Sequence, residues 1–236
     1  TAQLAPVRSF GGMVVDDMLA DVLKLFALVT VSLMLFYSRA YLAARGLFRG
    51  ELFVLTLFAL RGMMVMTAAG NCVTLYLGLE LMSLSLYALV ALQRDASAPS
   101  EAAMKYFVLG ALASGMLLYG ISMIYGATGH LDLDAVADAS LGAQGNRTLL
   151  VLGLVFVVSG IAFKLGVVPY HMWVPDVYHG APTPITLLIG TAPKLAAFAF
   201  TLRVLAGALK GLEFDWQGML VVLSLPGCTS LSNPAV

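Results

Sequence analysis

The sequence predicts an all-α membrane protein, a polytopic helix bundle, and two observations carry that prediction. Hydrophobic residues make up 60% of the chain and charged residues only 11%, far from the balance of a globular domain, and the mean hydropathy is +0.92. Several apolar runs also approach the ~20 residues a helix needs to cross a bilayer. The formal net charge is zero, and no basic patch interleaved with aromatics points to nucleic acid. Cys72 and Cys228 form no metal or redox pattern. The chain opens at Thr1, already inside a patterned segment and without a cleavable signal, as expected of a piece of a longer protein.

The spans follow in order. The first covers 15–37 and enters from a polar edge of Asp16, Asp17, Asp21 and Lys24. The second, 51–69, is followed at once by the third, 72–92, because Gly70 and Asn71 leave room only for a tight turn. The fourth, 101–125, starts behind a capping signal of Ser97, Pro99 and Ser100. The polar stretch 126–147 reads as the longest loop. The fifth span runs from 149 towards Pro169, and the sixth covers 184–209. A seventh begins near Trp216 and stalls at Pro226, and the tail beyond is not apolar.

Cations orient the bundle. Arg39, Arg45 and Arg49 crowd the loop between spans one and two, and Arg94 follows span three. If each span crosses once, those loops share one side, which is cytoplasmic. The 126–147 loop, with Asp132, Asp134 and Asp138 against Arg147, falls on the other. The proline-rich segment 170–183 lies at the cytoplasmic end.

Ionisable residues inside the spans carry the functional information, because each costs roughly 2.5–3.5 kcal/mol at the centre of an inserted helix. Glu80 lies ~12 Å along its helix from Cys72, near the midplane. It reads either as a relay carboxylate or as a structural one satisfied by a neighbouring helix. Lys164 is too deep for easy snorkelling and precedes Gly166 and Pro169. Proline removes a backbone donor and clashes one turn back, so the carbonyls of residues 163–166 are free to meet water or a polar side chain. Non-helical backbone survives at that depth only against protein or a wet cavity. Lys194 follows Pro193, so lysine and helix break recur together. Burial makes lysines ready proton carriers, and two of them with a buried glutamate point to a proton relay.

Lys105, a turn into the fourth span, reads as a further relay position or as a helix-end lysine that snorkels. His171 follows Lys164 by seven residues and would share its face if the helix resumed, placing it to pass a proton between the lysines. His179 reads as a loop hydrogen-bonder and His130 as solvated. A metal site from His171 and His179 lacks a third ligand, so no metal is expected in this chain. No phosphate loop, nucleophile elbow or zinc motif is present.

Three stretches, "LGLELMSLSLYALVAL", "SEAAMKYFVLGALASGMLLYGISMIYGATG" and "GIAFKLGVVPYHMWVPDVYHGAPTPITLLIGTAPKLAAFAFTLRVL", resemble the antiporter-like membrane subunits of bacterial respiratory complex I, NADH:quinone oxidoreductase. The resemblance implies one five-helix half of an inverted-repeat antiporter-like fold plus one preceding helix. It divides the chain into 1–50, the first helix and its cytoplasmic loop; 51–210, the five-helix repeat with a proton half-channel; and 211–236, the start of the next helix and an atypical tail. By resemblance, Glu80 is the glutamate that pairs with the broken-helix lysine, Lys164 is that lysine, and Lys194 links towards the centre. Lys105 and His171 fall on family positions with less defined roles. The second repeat and its central relay residue have no counterpart here.

The function implied is proton translocation in the bacterial inner membrane. It is coupled to quinone reduction elsewhere in the complex, with no cofactor in this chain and NAD and quinone handled by other subunits. The partners implied are the other membrane subunits and the lipid bilayer, not nucleic acid. Two rivals stand beside it: a subunit of a cation/proton antiporter of the same superfamily, and a scaffold or inert fragment whose buried charges only hold helices together. Arg61 departs from the family pattern. It lies at nearly the same depth as Glu80 across the 70–71 turn, and reads either as its ion-pair partner or as a lipid-facing arginine that snorkels.

Overall fold

The computed structural model describes residues 6–142 and 146–231, from 226 onward by backbone alone. Six helical segments within it are long and apolar enough to cross a membrane. The chain opens with a small antiparallel hairpin, β1 (Val7–Ser9) and β2 (Val14–Asp16), which the hydropathy pattern did not reveal. Helix α1 (Met18–Ala44) follows, later at both ends than expected, because Asp17 is its cap: the carboxylate accepts from Ala20 N at 2.8 Å. Helices α2 (Gly50–Thr67) and α3 (Cys72–Val90) form the expected tight hairpin. Their backbones approach closely where Gly62 meets Gly78 and Met82, the small-residue crossing common in membrane helices. Asn71 caps α3 by accepting from Val73 N.

Helix α4 (Ser97–Thr128) begins a turn earlier than expected. Ser97, Pro99 and Ser100 lie inside its first turn, not in front of it, and Ser100 Oγ donates back to Ala96 O at 3.1 Å. The proline sits where a backbone N–H has no helical acceptor, so it costs nothing there. The 126–147 stretch is not merely a loop. It contains α5 (Leu133–Leu141), an amphipathic helix that buries Leu133 and Val136 and lies on one end of the bundle.

Helix α6 (Arg147–Leu165) stops short of Pro169. Gly166 adopts the left-handed conformation (φ 72°), and Gly166 N and Val167 N both return to Ala162 O, a glycine-terminated helix end. A turn through 166–172 leads to a short helix, α7 (Trp173–Gly180). The sixth span is itself interrupted. Helix α8 (Thr183–Gly190) ends at Thr191, α9 (Ala192–Thr201) restarts with Pro193 in its first turn, and residues Leu202–Ala208 continue as π-helix. Helix α10 (Glu213–Leu231) does not stall at Pro226 but runs through it. Prolines are tolerated within membrane helices where local adjustment re-satisfies the freed groups. The expected atypical tail beyond 231 lies outside the described residues.

Successive spans run up and down. One end gathers the hairpin, the 68–71 turn and α5: Val15 N donates to Ala68 O at 2.7 Å, Cys72 N to Leu131 O at 2.9 Å, and Arg8 pairs with Asp134. Arg203 clamps the same end, donating to Thr67 O at 2.7 Å and to Asp17 at 2.8 Å. The opposite end carries the 45–49 and 91–96 loops and α7.

Candidate functional site

The site forms where α6 ends inside the bundle. Lys164 occupies the last turn of α6, and its ammonium donates to Ser83 Oγ at 2.8 Å and to Tyr87 OH at 3.4 Å, both on α3. Ser83 in turn donates its hydroxyl to Leu79 O at 2.7 Å. The rings of Tyr87 and Phe163 stand 5.8 Å from the ammonium, close enough for cation–π attraction. Glu80, Ser83 and Tyr87 follow one another at helical spacing along one stripe of α3.

Glu80 is not in direct contact with Lys164. The expected pair is no ion pair here, and among the described residues the buried Glu80 Oε1 has no hydrogen-bond partner. A buried carboxylate oxygen with no donor is costly, so Glu80 marks a point of unspent polar capacity one turn from the Ser83–Lys164 contact.

The carbonyls freed at the end of α6 are met by side chains. Lys194, at the start of α9, donates to Lys164 O at 3.0 Å and Leu165 O at 2.7 Å. Trp173, from α7, donates Nε1–H to Phe163 O at 3.0 Å. A cation over the last carbonyls of a helix is also favoured by the helix dipole. Lys194 lies 5.2 Å from the Trp173 ring. Trp173 is only 1% exposed and stacks on Tyr106 at 4.7 Å, while Tyr106 meets Tyr87 edge-on at 4.6 Å. Two lysines, one helix end and an aromatic wall thus form a single cluster drawn from α3, α4, α6, α7 and α9.

Ser83, Tyr87, Tyr106 and Trp173 were missed in the sequence. Ser83 and Tyr87 were legible as the third and seventh positions after Glu80, the spacing that returns to the same helix face. Tyr106 and Trp173 carried no such signal, since their meeting depends on how α7 folds back on α4.

Two candidates stand elsewhere. Lys105 is 43% exposed and pairs with Glu101 at 2.9 Å and Asp176 at 3.2 Å, tying α4 to α7. His171 lies exposed in the 166–172 turn because the helix does not resume in register after Gly166. Among the described residues, no hydrogen bond or ion pair joins its side chain to either lysine. His179 lies in the last turn of α7, not in a loop. Arg61 faces outward from α2, so it is not the partner of Glu80. Among the described residues, no three His, Cys, Asp or Glu side chains converge as metal ligands would.

Residues 69–230 match the family described as NADH:quinone oxidoreductase/Mrp antiporter, TM. The chain belongs to this membrane family. Within the family, it is 63% identical over 220 residues to the NADH-quinone oxidoreductase subunit N of Thiobacillus denitrificans, a match covering 93% of this chain and 46% of that relative. A chain of respiratory complex I from Thermus thermophilus superposes with a TM-score of 0.69 at 38% identity, covering 84% of this chain and 42% of that one. A chain of the Mrp complex from Dietzia sp. DQ12-45-1b gives 0.66 at 25% identity, covering 83% and 36%. The chain therefore spans about half the length of the relatives it matches, and it shares the polytopic helical fold of complex I and Mrp membrane subunits.

Proposed function

We propose that this chain forms a proton-carrying part of a membrane subunit of NADH:quinone oxidoreductase in the bacterial inner membrane, with residues 51–210 as its five-helix repeat. The observation that carries this reading is the Lys164 ammonium, held inside the bundle against Ser83 and Tyr87 at the broken end of α6. A structural lysine would be better served by a carboxylate. This one is held by neutral hydroxyls, which can hand a proton on as well as accept one. Glu80, one turn along the same helix, is close enough in sequence and face to bias it. A nearby negative charge favours a charged lysine, and its withdrawal favours proton release. Lys194, bonded to the backbone carbonyl of Lys164 itself, is the next proton holder towards the rest of the protein. NADH oxidation and quinone reduction belong to other subunits, and no redox step is assigned to this chain.

The antiporter reading shares this geometry. The complex I reading is favoured because identity to the oxidoreductase subunit from Thiobacillus is 63%, against 25% to the Mrp chain. The test is Lys164→Met in the full-length protein within its assembled complex. Proton pumping and the coupled quinone reductase rate should fall at least about tenfold while assembly persists. Unchanged pumping would remove Lys164 from the path. Sodium-dependent proton exchange without any effect on quinone reduction would favour the antiporter.

A further inference from the structure

Arg61 is an intramembrane charge that the lysine cluster leaves unused. It lies within α2 (Gly50–Thr67), six residues before Thr67, so about 9 Å from the nearer helix end at the usual helical rise. It is exposed on the outer face of the bundle. Among the described residues, its guanidinium has no hydrogen bond, ion pair or ring contact. It borders a groove formed by Val54, Leu57, Phe58, Leu60 and Met64. Leu57 is 59% exposed and Phe58 48%, so nothing among the described residues covers the groove.

Lipid tails offer this guanidinium no acceptor, and its burial at helix centre is costly. Escape to the headgroups is hindered by direction. Side chains on a helix lean towards its N-terminus, which here aims Arg61 at Val54 and Leu57, away from the near edge at Thr67 and further into the membrane. A second copy packed across this groove by a two-fold axis would bring arginine towards arginine. What fits is an apolar surface with one anion, which guanidinium binds through two parallel hydrogen bonds.

We propose that this groove seats a transmembrane helix of a neighbouring membrane subunit, one that presents an aspartate or glutamate to Arg61. The proposal rests on the preceding reading only in placing the chain among other membrane subunits; it makes no use of the lysine cluster.

The test replaces Leu57 by p-benzoylphenylalanine in the full-length protein within its native assembly, with illumination in isolated membranes and mapping of the linked peptides. The expected product is a crosslink to a different membrane polypeptide, within about two helical turns of an acidic residue. Its yield should fall at least about fivefold in Arg61→Gln and less in Arg61→Lys, which keeps the charge but loses the fork. Adducts confined to phospholipid, to a second copy or to another segment of the same polypeptide would overturn the proposal, as would a yield indifferent to Arg61→Gln. The crosslink in the otherwise unaltered protein decides the matter even if an Arg61 variant fails to assemble. Lys164→Met should leave the crosslink intact, so the two proposals can fail separately.

Discussion

Lys164 is held by two hydroxyls and no carboxylate, and that arrangement can be interrogated one atom at a time. Ser83→Ala removes the closer acceptor and leaves a buried ammonium short of a partner, a loss of about 1–3 kcal/mol. The expected outcome is a lower melting temperature in detergent together with slower pumping in the full complex. In a double-mutant cycle with Lys164→Met, the two sites should show an interaction energy of about 0.5–3 kcal/mol, measured by unfolding of the purified protein. Additive effects would mean that the hydroxyl and the ammonium do not communicate. Lys164→Arg should be nearly as damaging to pumping as Lys164→Met, because a guanidinium does not give up its proton in a protein. Retained pumping in that variant would assign Lys164 the part of a fixed charge.

The same site depends on how whole helices approach. Tyr87 reaches Lys164 past Gly110 of α4, and a Cβ at that glycine would stand 2.6 Å from Tyr87 Cζ. Tyr106 and Phe107 already flank the Tyr87 ring, at 4.6 and 5.8 Å. Gly110→Ala therefore has to separate α3 from α4 or turn the tyrosine away, at about 1–3 kcal/mol. We expect reduced thermal stability and reduced pumping together, with Tyr87→Phe in the same background giving no further loss of pumping. The end of α6 is a second such point. Gly166 holds φ at 72°, and a left-handed conformation costs any other residue about 1–2 kcal/mol. Gly166→Ala would also press its Cβ to 3.0 Å from Val174 Cγ2 and 3.4 Å from Lys194 Nζ. Destabilisation without loss of pumping would show that the shape of the break is not needed for transfer.

At the scale of the whole molecule, the up-and-down order of the spans puts the arginine-bearing loops at 45–49 and 91–96 on the face that α7 shares, and α5 on the other. In a cysteine-free full-length background, Gln93→Cys and His130→Cys should react with a membrane-impermeant maleimide from opposite sides, Gln93→Cys from the cytoplasm. Labelling of both from one side would invert or break the assigned topology. The Arg203 clamp belongs to this scale too. It joins the π-helical end of the broken span to the cap of α1 and the end of α2, so it fixes the frame against which α9 presents Lys194.

By itself the sequence determined the membrane class, the order of the spans, the tight α2–α3 turn and the candidacy of Glu80, Lys164 and Lys194. Each of these follows from local chemistry: a charge in an apolar run is conspicuous wherever the run folds. The helix ends were less legible. The break was expected at Pro169, but Gly166 ends α6 three residues earlier, because a left-handed glycine closes the last turn with its own hydrogen bonds before the proline is reached. The start of α4 and the course of α10 through Pro226 were misplaced for a related reason: proline does not always bound a helix. The 126–147 stretch concealed α5, whose brief apolar stripe was masked by its aspartates. Only the tertiary structure decided who meets whom. It set Lys164 on Ser83 and Tyr87 instead of in an ion pair with Glu80, and turned Lys194 onto the carbonyls of α6. It also left His171 in an exposed turn, drew Lys105 into a surface ion pair and pointed Arg61 away from Glu80. Depth along a helix can be counted from sequence, but the direction a side chain faces depends on which neighbouring helix packs there, and that is a property of the assembled bundle.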